Sequence, residues 1–155
     1  MYNYEELLHI AENNHIKVVE KQFRSSSKGL CKGSVIAIRK DMTIQEKTCI
    51  LAEELGHYYK TVGNIIDQTD TNNRKQEKKA RNWGFDRLFN LNDILTAHLT
   101  GCRSAEEVAD FLGITTEYLN EALLSYRARH GIVHIVGDYK IIINDVGYYI
   151  IRIDG

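Results

Sequence analysis

The chain contains no proline, only three cysteines, and no apolar run long enough to span a bilayer. Without proline, its turns must rest on Gly, Asn, Asp and Ser. Cys31, Cys49 and Cys102 are odd in number, widely spaced and form no CxxC, which argues against a disulfide framework and a structural zinc knuckle and leaves buried thiols. Also absent is a basic segment leading into an apolar one at the N-terminus. MYNYEELLHIAENN is acidic and amphipathic, so no secretory signal is read and the expected compartment is the cytoplasm. An excess of charge of one sign is missing too. The net charge of -1 gives no global pull toward anionic lipid or nucleic acid, so neither a membrane nor DNA is an expected partner.

What remains is the composition of an ordinary globular protein. Its 155 residues suffice for one well-buried core and fall short of two, so a single domain over 1–155 is expected. Leu7, Leu8 and Ala11 recur at helical spacing between Tyr4 and Asn13, and Ile16 to Phe23 then alternates as a strand does. Ser25 to Gly29 is a loop, and SVIAI, Ser34 to Ile38, is a short β-branched strand. A helix follows from the capping box TIQE at Thr43 to about Tyr59 or Lys60. The polar segment Thr61 to Asn73 reads as a loop, and Arg74 to Phe89 as a second helix.

Three more helices come next: a shorter one from Leu91 to Thr100, another from Ser104 to Leu112 opened by SAEE, and a longer one from Thr116 to His130 ended by Gly131. The tail changes period: IVHIV, YKIII and YYIIRI are β-rich, separated by Gly137/Asp138 and by Asn144 to Gly147, as in a meander of hairpins. The class expected is α+β, with a small N-terminal sheet, a helical C-terminal part and a closing β-meander.

The stretch ILAEELGHYY, Ile50 to Tyr59, comes close to the HExxH pattern, with Glu53 in the place of the first histidine. At about 100° per residue, Ile44, Thr48, Leu51, Leu55 and Tyr58 form one core-facing stripe, and Glu53 and His57 lie together roughly opposite it. A carboxylate and an imidazole one turn apart can grip one ion, while the adjacent Glu54 can reach a water bound there. The plainer reading is a solvent-facing Glu/His pair worth a few tenths of a kcal/mol. A third ligand strengthens the metal reading: Glu77, in QEKKARNWGF, lies twenty residues after His57. Ala80, Gly84 and Leu88 fall near its face, so small residues let two helices approach there, with Gly56 contributing from the first. Against this, Glu77 can simply pair with Arg74, Lys78, Lys79 and Arg81 on a solvated face, which is the preferred reading for the basic cluster itself.

With Glu53, Glu54, His57, Glu77 and Ala80 in place, the chain resembles the ImmA/IrrE family of metallopeptidases, and within it the small members encoded by phages and integrative elements. That family pairs an (H/E)ExGH helix with an ExxA helix about twenty residues on. The matching segments, SVIAI, ILAEELGHYY and EKKARNWGF, cover roughly Ser34 to Leu99. The resemblance implies a metal held by Glu53, His57 and Glu77, with an open position for water and Glu54 as general base and later proton donor in peptide-bond hydrolysis. It further implies a repressor protein as the partner that is cut. Glu53 makes the donor set harder and more anionic than one with two histidines; beside Zn2+ it admits Mn2+ or Fe2+. For the oxyanion, Tyr58, Tyr59, His98 and His130 are candidates among which the sequence does not choose.

Three other readings compete. Glu53 in place of histidine suits a catalytically silent antirepressor that binds a repressor without cutting it. SAEEVADFLGITTEYLNEALLSYRARH has helix-turn-helix spacing at Ala109, Gly113 and Ile114, but its five acids against two bases give a net charge of -3, the wrong sign for a phosphate backbone. Finally, Glu6/His9 and Glu54/His57 each form the Glu-x-x-His pair of di-iron bundles, yet strand-like segments separate them where long helices are required.

Overall fold

A computed structural model of the chain describes residues 2–61 and 70–154. The elements in order are α1 (Tyr4–Asn13), β1 (Lys17–Lys21), β2 (Gly29–Lys32), β3 (Val35–Arg39), α2 (Ile44–Thr61), α3 (Asp70–Leu88), α4 (Leu91–Thr100), α5 (Ala105–Leu112), α6 (Thr116–His130), β4 (Val133–Val136), β5 (Tyr139–Ile143) and β6 (Tyr148–Arg152). The class is α+β: helices accompany two three-stranded sheets, one N-terminal and one an antiparallel C-terminal meander. The described chain divides into two compact units, one ending at Leu88 and the other beginning at Phe89.

In the first unit β3 is the central strand, flanked by β1 in parallel and by β2 antiparallel. Ile36 and Ile38 on β3 are fully buried, as are Leu51, Ala52 and Leu55 on α2 and Leu7 on α1; these make the core. Asn3 opens α1 by accepting the amide of Glu6 at 2.9 Å, and Thr43 opens α2 by accepting that of Glu46 at 3.1 Å. Three polar side chains tie the layers together. The Tyr4 hydroxyl on α1 donates to Glu20 on β1 at 3.1 Å, and Lys47 Nζ on α2 pairs with the other oxygen of Glu20 at 2.6 Å.

Several sequence expectations need adjustment. Ile44 leaves the buried stripe of α2: it stands in the first turn and is 54% exposed, while Thr48, Leu51 and Leu55 are buried. β2 was not anticipated, because GLCK is four residues long and its pattern offers one apolar side chain to each face. α3 begins at Asp70 rather than Arg74, so Asp70 to Asn73 are helical where a loop was expected. The expected loop residues 62–69 lie outside the described residues.

In the second unit the helix ends follow their caps. Asn90 and Asp93 form a reciprocal capping box at α4. Ser104 caps α5 and Thr115 caps α6. Gly101 and Gly113, at φ 116° and 72°, close α4 and α5 in the left-handed region that a side chain disfavours. Ala109 on α5, Leu119 on α6 and Ile114 in the turn that joins them are buried. The meander pairs β4 with β5 and β5 with β6, placing Ile141 and Ile143 in the core of this unit.

Candidate metal centre

The candidate site lies in the first unit, where α2 and α3 run antiparallel. A close approach of the two backbones brings it about. A Cβ built on Gly56 would collide with the carbonyl oxygen of Ala80 and stand 2.9 Å from its carbonyl carbon. Ala80 is itself fully buried. Only a residue without a side chain at position 56 lets the helices come this near. Tyr59 extends the seam by stacking on Trp83 at 4.9 Å between ring centroids, and Arg87 lies over the same indole at 4.9 Å.

Around this contact the side chains meet in two rungs. Each pairs a residue of α2 with one of α3, and on each helix the two rung residues are four apart. In one rung His57 Nε2 lies 3.9 Å from Glu77 Oε1. In the other Glu53 Oε1 lies 3.6 Å from Arg81 Nε. Glu53, His57 and Glu77 each present one ligand atom, and all three atoms fall within 4.8 Å of one another. Glu53 and His57 are half-buried and Glu77 is exposed.

These donors suit a divalent cation. Donor bonds of about 2.0–2.2 Å give a coordination shell roughly 4 Å across, so the three atoms form a slightly open cage of two carboxylates and one imidazole. The charge of the surroundings points the same way. Glu53, Glu54 and Glu77 crowd three carboxyl groups together, and the pKa of Glu54 is raised to about 7, first by burial and then by the charges of Glu53 and Glu77. A cation between those neighbours would relieve the repulsion. Glu54 is also confined from the sheet side, because Gly29 of β2 packs against it: a Cβ there would meet Ile50 at 2.5 Å and Glu54 at 3.1 and 3.2 Å.

Each residue singled out in the sequence can now be placed. Glu53, His57 and Glu77 converge, with Glu54 beside them. Arg81, expected among the partners of Glu77, instead pairs with Glu53. Of the oxyanion candidates, Tyr59 is engaged in the α2–α3 seam with Tyr58 edge-on to it at 5.3 Å, while His98 and His130 belong to the second unit. Two neighbours were missed. Gly29 carried no signal, since β2 itself was not foreseen. Arg81 was legible as the residue four after Glu77, matching the four between Glu53 and His57, but its charge merged with the basic run around it.

Comparison with known proteins identifies the family. The sequence model of the Peptidase_M78 family, described as the IrrE N-terminal-like domain, matches residues 11–124. The chain therefore belongs to the ImmA/IrrE family, a family of metallopeptidases. No curated protein and no solved structure matches it significantly. The matched stretch runs from the end of α1 into α6, so it contains the whole α2–α3 pair. Among the described residues, no helix is long and apolar enough to cross a membrane.

Proposed function

We propose that this protein is a metal-dependent endopeptidase whose substrate is a repressor protein of a phage or mobile element. The observation that carries the reading is the convergence of one ligand atom each from Glu53, His57 and Glu77 to within 4.8 Å, beside a half-buried carboxyl group that none of them uses. Glu53, His57 and Glu77 would hold the ion, with Zn2+, Mn2+ and Fe2+ all compatible with an O,O,N donor set. When bound, such an ion supplies Lewis acidity for the scissile carbonyl and lowers the pKa of a coordinated water.

The remaining work falls to side chains of this chain. Glu54 takes the proton of the attacking water and delivers it to the leaving amide nitrogen, a role open to a half-buried carboxyl group standing beside the ligands. Gly29, packed on Glu54, limits the directions in which that carboxylate can turn. The choice of a repressor as substrate rests on the family resemblance, and the cytoplasm is the compartment where such a partner would be met.

The test is to mix the metal-loaded protein with the repressor encoded beside its gene. Cleavage that disappears in Glu54→Gln supports hydrolysis. A stable, uncut complex would overturn it in favour of the antirepressor.

A further inference from the structure

We propose that Arg81 is a positioning residue of the metal centre, holding Glu53 in its ligating orientation and so making position 53 a site for carboxylate rather than imidazole. The inference rests on the metal reading above and extends it to a residue outside the donor set.

The two rungs carry the argument. Glu53 and His57 stand four apart on α2, and Glu77 and Arg81 stand four apart on α3. The helices run antiparallel, so His57 faces Glu77 at 3.9 Å while Glu53 faces Arg81 at 3.6 Å. The Gly56–Ala80 contact beside the rungs fixes the helix spacing, and with it the distance across both. The Arg81 guanidinium stands at ion-pair distance from Oε1 of Glu53, 3.6 Å away, and its charge draws that carboxylate toward α3, the side on which Glu77 lies. Partners that orient a ligand in this way typically matter to metal affinity by one or two orders of magnitude.

A neutral imidazole at position 53 would gain nothing from this neighbour, and the fixed positive charge of Arg81 would then only oppose the incoming ion. Charge balance favours the pairing as well. Glu53, Glu54 and Glu77 bring three acidic side chains together, and Arg81 sets a positive charge beside Glu53. On this view, Glu in place of the first His belongs to a complete site built around an arginine, and is no remnant of a site that lost a ligand.

The test is a double-mutant cycle read by metal affinity. Full-length protein is stripped with chelator, and Zn2+ and Mn2+ are titrated against a competing indicator, with thermal unfolding confirming that each variant is folded. We expect Arg81→Gln to weaken binding about tenfold or more in the wild-type background, and to leave it unchanged or tighter in the Glu53→His background. Unchanged affinity in the wild-type background, as for a surface ion pair that contributes nothing, overturns the proposal, and so does the same loss in both backgrounds. Wild-type protein that takes up neither ion would overturn this proposal together with the metal reading on which it rests.

Discussion

Gly56 and Ala80 touch backbone to backbone, and that contact sets the width of the seam in which the candidate ligands meet. A methyl group at position 56 has nowhere to go, since the atoms it would strike belong to the main chain of α3 and Ala80 is wholly buried. Gly56→Ala should therefore force the helices apart. Overpacking of this kind costs about 1–3 kcal/mol, read as a lower thermal midpoint. Because both rungs widen together, the same variant should also lose metal in elemental analysis. Retention of the ion at wild-type level would mean that the seam does not control the ligand spacing.

Glu77 offers the cleanest test of the donor set because its side chain is 58% exposed and has little packing to lose. Glu77→Ala is expected to change stability by no more than about 0.5 kcal/mol, while metal content falls sharply. Equal ion content in the variant and the wild type would remove Glu77 from the site.

Glu54 separates chemistry from binding. Replacing it with glutamine keeps the shape and the hydrogen-bonding ends but removes the proton acceptor. The cleavage rate should drop by about 10²–10⁴-fold with the ion still in place. Loss of metal in Glu54→Gln would instead make this residue a ligand.

Much of this was legible in the sequence where one local signal decides an outcome. The bounds of α1, α4 and α6 follow from helical period and cap chemistry, and the meander from β-branched runs broken by Gly137/Asp138 and Asn144 to Gly147. Signals that depend on a partner were harder to read. β2 is defined by pairing to β3, and GLCK alone has too few residues to alternate. Ile44 fits the helical stripe by angle, yet stands in the opening turn and lies exposed. Arg81 shows the limit most clearly. Its charge suited either Glu77 on its own helix or Glu53 on the facing one, and only the antiparallel approach of α2 and α3 selects Glu53.

The Tyr4–Glu20–Lys47 link predicts an acid-sensitive contribution to stability. The pKa of Glu20 is lowered chiefly by its hydrogen bond to Lys47, with the Tyr4 hydroxyl adding to the effect against the opposing influence of burial. A carboxyl group depressed on folding stabilises above its unfolded pKa, and that share is lost as pH falls through the folded value. The link is partly open to solvent and therefore screened, so Glu20→Gln should cost about 0.5–1 kcal/mol near pH 7. The difference from wild type should close as the pH is taken below 4.5, the ordinary value for this group. A gap in thermal midpoint that stays constant from pH 7 to pH 3 would contradict this account. At the other end of the scale, burial and Glu20 raise the Tyr4 hydroxyl to about 12, so its share holds below the ordinary value of 10.0 and disappears as pH climbs through the folded value.

Gly29 and Gly56 bracket the site from opposite sides, and this makes their substitutions informative as a pair. A Cβ on Gly29 meets Ile50 at 2.5 Å and the Glu54 side chain at 3.1 and 3.2 Å, whereas one on Gly56 first meets the backbone of Ala80 on α3. The first therefore presses on the proposed base and the second on the ligand seam. In Gly29→Ala the Glu54 side chain can turn aside, whereas Ile50 Cγ2 sits on a β-branched carbon with a stiff χ1 and obliges β2 to shift, so the fold should survive with a loss of about 1–3 kcal/mol. The displaced carboxylate should slow turnover while Glu53, His57 and Glu77 keep their ion. The expected signature is a lower kcat at unchanged metal content, the reverse of the metal loss expected for Gly56→Ala. If Gly29→Ala loses metal as readily as Gly56→Ala does, then the sheet side supports the ligands as well as the base, and the two functions are not mechanically separate.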